Sequence, residues 1–194
     1  MADRWLVVGL RNPDRDYAGT RHNIGADTVR TIAQRLGGRF KAHRAGGEVA
    51  DVVDPASGAP ITLFLPSGYM NEAGGPVQRA AAFYKVPPER TVVVHDELDL
   101  PVAALRVKRG GGPGGHNGVR DVIRRLGTPD FLRARIGIGR PPGRQDPADY
   151  VLRRFTPADR EQIDVTVEQA ADAVLSLVES GLEPTQNRFH ATTP

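Results

Sequence analysis

The sequence predicts an α/β fold, a single domain with a mixed, mostly parallel sheet and helices on both faces, and three observations predict it. Short apolar runs bounded by turn residues occur at Trp5–Leu10, Ile61–Leu65 and Thr91–Val94, the pattern of buried strands. Between them lie stretches whose apolar residues recur at steps of three and four, the spacing of one helix face. A chain of 194 residues is near the upper size for one domain and long enough to bury roughly 70% of its surface in a single core. Strands that alternate with helices place the helices over a sheet, although the pattern does not give the order in which the strands pair.

Each element follows in turn. After the first strand, Ala26, Val29, Ile32, Ala33 and Leu36 mark a helix. Ile61–Leu65 gives the next strand, and Val77–Tyr84 an alanine-rich helix that precedes the strand at Thr91–Val94. From Val119 to Leu126 the apolar residues Val119, Val122, Ile123 and Leu126 share one face, which leaves Arg120, Arg124 and Arg125 toward solvent. In the last long helix Thr156 is the expected N-cap, Pro157 sits in the first turn and Asp159 in the capping-box position. Ile163, Val167, Ala170, Val174 and Leu177 then point inward, and Gly181 ends the helix. Arg140–Pro147 reads as a surface loop, and residues 183–194 as a mobile tail of the one domain spanning 1–194. No internal repeat, low-complexity tract or interdomain linker is apparent.

Composition excludes several classes of function. At 39% hydrophobic and 25% charged residues the chain is an ordinary globular protein. It has no cysteine, which removes disulfides, thiolate metal sites and thiol nucleophiles. The amino terminus runs into a strand with no secretion signal, and no apolar run approaches the roughly 20 residues that span a bilayer; a soluble, cytoplasmic protein is expected. The net charge of +3 is unevenly spread: residues 106–144 alone carry +8 and the remainder about −5. Such concentration fits either a solvated arginine-rich surface or the footprint of a polyanionic partner such as RNA.

Open α/β sheets bind ligands beyond the carboxyl ends of their strands, so the loops that follow strands are the places to look. Four stand out: Gly9-Leu10-Arg11-Asn12-Pro13 with the stretch Tyr17–Asn23; Tyr69-Met70-Asn71; His95-Asp96-Glu97-Leu98-Asp99; and Gly110–Gly118, which contains His116 and Asn117. Taken singly each has an ordinary explanation, because a histidine is often structural, an asparagine before a helix often a cap, and a glycine cluster often a turn. Together they could bring histidine, aspartate and three asparagines to one crevice.

Together, too, they resemble one family. The motifs just quoted, with Arg135-Ile136-Gly137-Ile138-Gly139 and Tyr150-Val151-Leu152, are similar to those of bacterial-type peptidyl-tRNA hydrolases along almost the whole chain, and several motifs in order are more specific than any one. The resemblance implies a monomeric α/β hydrolase without metal or cofactor that splits peptidyl-tRNA into peptide and tRNA, returning tRNA from aborted translation. It also implies roles. His22 matches the catalytic histidine, and its ordinary pKa near ~6.5 lets it take a proton from water at neutral pH. Asp96 matches the carboxylate that orients that imidazole. Asn12, Asn71 and Asn117 match substrate-site asparagines, of which Asn12 and Asn71 are the favoured oxyanion donors; Tyr17, Tyr69 and His116 match residues of the site wall. Lys108 and Arg135, inside the basic segment, match residues that grip a terminal tRNA phosphate, a contact that adds affinity without reading bases.

Three positions depart from the pattern. Arg11 stands where the family usually has glycine, Leu65 where lysine is common, and Gly68 where a hydroxyl residue is frequent. Were Arg11 to need a backbone angle reserved for glycine, the Asn12 loop would shift, and the chain would become a divergent, catalytically weak tRNA- or RNA-binding paralogue. Two other classes fit poorly. Gly110-x-Gly112-x-x-Gly115 satisfies a dinucleotide-binding spacing but contains Pro113 and lacks the acidic strand end about 20 residues later. Histidines at 22, 43, 95, 116 and 190 show no HExxH spacing for a metal hydrolase.

Overall fold

The structure, a computed structural model, describes residues 2–191. Seven strands form one sheet in the order β2-β3-β4-β1-β5-β7-β6: β1 (Trp5–Gly9), β2 (Lys41–His43), β3 (Gly47–Val53), β4 (Pro60–Pro66), β5 (Thr91–Glu97), β6 (Leu105–Arg109) and β7 (Leu132–Gly137). The central four, β4-β1-β5-β7, run parallel, and β2, β3 and β6 add antiparallel strands at the two edges. The three strands read from apolar runs are β1, β4 and β5. Sandwiched by helices, such strands bury both faces, so a continuous apolar run is their signature.

Helices cover both sides. After the short α1 (Asp14–Tyr17), α2 (Ile24–Leu36) packs with the long α6 (Pro157–Ser180) on one face, where Ile24, Val29 and Ile32 meet Ile163, Val167 and Val174 in the larger core cluster. On the other face α3 (Gly74–Tyr84) and α4 (Asn117–Leu126) set Val77, Ala80, Val119 and Val122 against Leu6, Val8, Phe64 and Val93. Thr156 caps α6, accepting the Asp159 N–H at 3.2 Å, and the helix ends at Gly181.

Two stretches add to or differ from expectation. The loop read at Arg140–Pro147 has no regular element up to Asp146 and leads into an unpredicted short helix, α5 (Pro147–Val151), started by Asp146, whose carboxylate accepts the Ala148 N–H; an acidic N-cap followed by proline at the first helical position is the physical cause. The stretch read as a tail from 183 is mostly α7 (Leu182–His190), with Phe189 buried; residues 192–194 lie outside the described residues. α7 covers the exposed edge of β6, where the His190 ring accepts the Val107 N–H and the Gln186 amide donates to the Val107 carbonyl. An edge strand's unpaired backbone groups are thereby satisfied. No helix among the described residues is long and apolar enough to cross a membrane.

β1 lies between β4 and β5, and α2 returns over the β1–β5 junction, so the crevice opens above the ends of these strands. How tightly α2 sits is set by glycine. A Cβ on Gly25 would stand 2.1 Å from the Val94 carbonyl oxygen, and one on Gly9 2.6 Å from the Gly25 oxygen. Only two residues without side chains allow the first turn of α2 to press onto the sheet, which lowers the preceding turn, Arg21–Asn23, toward the end of β5.

Candidate active site

At that junction His22 meets Asp96. The His22 Nδ1 lies 2.8 Å from one carboxylate oxygen and 3.0 Å from the other. His116 approaches from the opposite side, its Nε2 2.8 Å from the Asp96 Oδ1. The tautomer of His116 follows from its second nitrogen: Nδ1 accepts the N–H groups of Gly118 and Val119, capping α4, so the proton resides on Nε2 and is donated to Asp96. By the same logic His22 donates through Nδ1 to the ionised carboxylate, which leaves its Nε2 lone pair available as a base. The turn carrying His22 is held by Arg21, whose side chain donates to the carbonyls of Tyr150 and Arg153 and stacks 3.9 Å over the Tyr150 ring.

Opposing forces set the charges here. For His22 the largest single effect is burial, which disfavours the charged ring, but the Asp96 charge and hydrogen bond together outweigh it and raise the pKa above 6.5. Burial alone would also raise the Asp96 carboxyl; the charges and hydrogen bonds of His22 and His116 overcome it and hold the group well below the usual carboxylate range. His95, the neighbouring strand residue, behaves differently. Fully buried, it is pushed down to about 3, first by burial and then by the nearby His116. It stays neutral, with Nδ1 donating to the Asp96 carbonyl oxygen at 2.7 Å and its ring packed edge-on to His116, 4.9 Å between centroids.

The asparagines divide into held and exposed. Asn12 is buried and fixed at three points: its N–H donates to the Asn23 Oδ1 at 2.8 Å, its carbonyl accepts the Asn23 amide at 3.0 Å, and its own Oδ1 accepts the Met70 N–H at 2.8 Å. With Oδ1 engaged, the Nδ2 group is the donor left to face the groove. Asn71 and Asn117 are exposed on the groove rim, Asn117 accepting from Arg120 at 3.2 Å. Tyr17, Tyr69, Asn71 and Asn117 line one groove of about 240 Å³ with Asn12 and His22. A second pocket, of about 130 Å³, continues from His22 past Asp96, Glu97, Gly114 and His116.

Lys108 and Arg135 stand apart from these walls, on the β6–β7 ladder, where Lys108 pairs with Arg133 and Arg106 with Arg135. Side chains directly opposite or two residues apart on such a ladder share a face, so the four basic residues are clustered, with Arg106, Lys108 and Arg135 partly exposed. Crowding shows in the titration: burial and then the Arg135 and Arg133 charges lower the Lys108 ammonium. Arg133 does not face outward. It is 1% exposed and donates to the carbonyls of Gly111 and Gly112, bracing the glycine-rich loop. Arg135 lies 3.9 Å from Glu97, which lines the second pocket and so links patch and site.

His22, Asp96 and His116 are the one group of histidine and acidic residues among the described residues whose ligand atoms all lie within 4.8 Å of one another. Their facing atoms already share protons, Nδ1–H of His22 and Nε2–H of His116 both directed at Asp96. An ion bound among them would have to displace both protons and both hydrogen bonds. The donor set suits a hydrogen-bonded triad better than a metal centre.

The sequence reading did not assign Asn23, the clamp of Asn12, although it lies in the quoted Tyr17–Asn23 stretch. It also quoted Val151 in a motif without placing it in the site, and did not name Ala148; both belong to the α5 wall, which the Asp146-Pro147 start signal could have revealed. The departures are accommodated. Arg11 is not among the residues with positive φ, which outside glycine are Lys85 and Ala103 among the described residues, so the backbone at Arg11 needs no angle reserved for glycine. Gly68 has a φ of +88°, a left-handed turn that a hydroxyl residue adopts only with strain, and Leu65 is buried.

Comparison with known proteins agrees with this geometry. A family model described as peptidyl-tRNA hydrolase matches residues 6–194. The chain is 54% identical over 187 residues to the peptidyl-tRNA hydrolase of Frankia alni, covering 96% of this chain and 94% of that one. It is 53% identical over 192 residues to that of Mycobacterium tuberculosis, covering 98% and 100%. The crystal structure of the Acinetobacter baumannii peptidyl-tRNA hydrolase superimposes with a TM-score of 0.91 at 35% identity, over 100% of this chain and 98% of that one. The chain belongs to the peptidyl-tRNA hydrolase family.

Proposed function

We propose that this member of the family hydrolyses the ester between peptide and tRNA with His22 as general base, oriented by Asp96, and with Asn12 as an oxyanion donor. The observation that carries the reading is the His22–Asp96 contact at 2.8 Å, which commits Nδ1 and frees Nε2 on the groove side. In the reaction Nε2 takes a proton from water as the oxygen attacks the ester carbonyl carbon. The carbonyl oxygen becomes negative and is met by the Asn12 Nδ2–H. The tetrahedral intermediate then collapses, the bond to the ribose oxygen breaks, and the proton held on Nε2 passes to that oxygen, leaving a free peptide acid and a tRNA. Because an alkoxide departs more readily than an amide nitrogen, no covalent enzyme intermediate is needed.

Asp96 stabilises the imidazolium formed on the way, as its partner role predicts, and His116 supports Asp96 from its other side. Base catalysis of this kind supplies roughly 10²–10⁴-fold and one well-aimed oxyanion donor about 2.7–4 kcal/mol. Asn71, Asn117, Tyr17 and Tyr69 contact the peptide or the terminal ribose, and Lys108 and Arg135 a terminal tRNA phosphate. The enzyme works as a cytoplasmic monomer without metal or cofactor. A catalytically weak RNA-binding paralogue would require a displaced Asn12, whereas Asn12 is clamped on three sides.

The test is hydrolysis of an N-acetylated aminoacyl-tRNA beside the same tRNA with a free α-amino group. Selective cleavage of the blocked substrate is expected, with no loss on exhaustive chelation. Equal rates on both substrates, or no turnover of either, would reject the reading.

A further inference from the structure

The departure at position 11 puts a guanidinium next to the groove, and its contacts are unusual for a loop residue. Arg11 is 5% exposed. Its Nε donates to the Pro66 carbonyl at 3.0 Å, one terminal nitrogen to Asp14 at 2.9 Å, and the other to Glu48 at 2.9 Å and the Leu65 carbonyl at 3.4 Å. Asp14 is in turn paired with Arg30 of α2. One side chain therefore ties the loop after β1 to the carboxyl end of β4 and to β3, where Glu48 pairs with Leu65.

The two segments it joins are the two that make the Asn12 donor. Asn12 is the next residue in the chain, and the Met70 N–H that fixes the Asn12 Oδ1 lies four residues beyond Pro66, across the Gly68 turn. The hydrogen bond from Met70 fixes the Asn12 Oδ1 and Asn23 holds the Asn12 backbone, while Arg11 spans the gap between the Asn12 loop and the end of β4. A planar fork with five donors can bridge carbonyls and carboxylates at fixed angles; an ammonium cannot.

We propose that Arg11 is a positioning residue of this enzyme: a strap that holds the Asn12 loop against the Pro66–Asn71 segment, so that the Asn12 Nδ2 is aimed at the ester carbonyl. The inference rests on the oxyanion role given to Asn12 above. It gives Arg11 a function at a position where the sequence suggested a defect.

A double-mutant cycle between Arg11→Met and Asn12→Ala, read on N-acetylated aminoacyl-tRNA, tests it. Asn12→Ala alone lowers kcat by about 100-fold, as loss of an oxyanion donor does. Arg11→Met alone lowers kcat by about tenfold with KM within about twofold of wild type, because the loss falls on the transition state. In the Asn12→Ala background Arg11→Met changes kcat by less than about twofold, since there is nothing left to aim. Arg11→Lys, which keeps the charge and loses the fork, gives a smaller kcat loss that Asn12→Ala also absorbs; it carries the cycle should the methionine variant not fold.

The strap is overturned if the Arg11 substitutions cost the same factor in both backgrounds, which is the mark of a merely structural residue, or if they change KM alone or nothing. Wild-type kcat in Asn12→Ala would instead remove the oxyanion role, and the strap with it. A loss in Asn12→Ala that is additive with Arg11→Met leaves the oxyanion role standing and sinks only the strap.

Discussion

At the scale of single residues, the chemistry depends on how Asp96 partitions two imidazoles. It accepts one hydrogen bond from each, but the rings differ in what their far nitrogens do. His116 spends Nδ1 on the start of α4 and is locked; His22 keeps Nε2 open. The pair of His22 and Asp96 titrates as a unit, with a definite sign. If His22 is the base proposed above, it acts only when neutral, and kcat/KM is expected to rise with pH through a pKa raised above the ordinary 6.5. Asp96→Asn removes both influences that raise that pKa and leaves burial, which lowers it. The acid limb of the pH profile should therefore move to lower pH, while the plateau falls by about 10²-fold or more as the tautomer loses its anchor. An unmoved limb, or one shifted upward, would dissociate Asp96 from the base. In stability the signs oppose. The raised His22 value favours the fold below pH 6.5 and is lost as pH climbs through it, whereas the depressed Asp96 and His95 values favour the fold at higher pH and are lost on acidification.

At the scale of elements, the site exists because α2 can lie directly on the sheet. Gly25 has a backbone carbonyl where a side chain would begin, and the turn holding His22 is continuous with that helix. Gly25→Ala should lift the first turn, lowering Tm by several degrees, as a strained packing site costing about 1–3 kcal/mol would, and lowering kcat well beyond any change in KM. Unaltered kinetics would show that His22 is positioned by Arg21 alone. These elements were unequally legible. β1, β4 and β5 announce themselves because strands buried on both faces are apolar throughout. β3, with half-exposed positions and paired at the sheet's flank, carries no such run, and β2 is three residues long. The apolar content of α7 is too small to mark a helix, whose place comes from tertiary contact with β6. Within the site, the convergence of His22, Asp96 and Asn12 on one crevice was legible through their motifs. Asn23 was not, because its role is to bind a backbone that only folding brings near, and Arg11 reads as a hazard because all its acceptors except Asp14 lie 37 to 55 residues away in sequence.

At the scale of the whole molecule, charge is separated from chemistry. The groove beside His22 is lined largely by neutral amides, tyrosines and apolar side chains, while the positive charge of residues 106–144 lies on the partly exposed Arg106, Lys108 and Arg135 of the β6–β7 ladder and on the exposed arginines of α4. Contacts to backbone phosphates carry no sequence information, so a grip of that kind would not discriminate among tRNAs. Lys108→Ala combined with Arg135→Ala should raise KM by about tenfold or more and leave kcat within about threefold, and should make KM less sensitive to salt by an amount corresponding to about two phosphate contacts. A fall in kcat with unchanged KM would move these residues from tRNA grip to catalysis. The family relationship extends over nearly the full length, at 53–54% identity.

The most direct measurement is single-turnover hydrolysis of N-acetylated aminoacyl-tRNA by His22→Ala at saturating enzyme, with binding of the substrate measured on the same protein. The account predicts that the rate falls by roughly 10²–10⁴ while Kd stays within about threefold of wild type. A rate within about threefold of wild type would contradict it, because the ester would then be cleaved without the imidazole on which the mechanism is built.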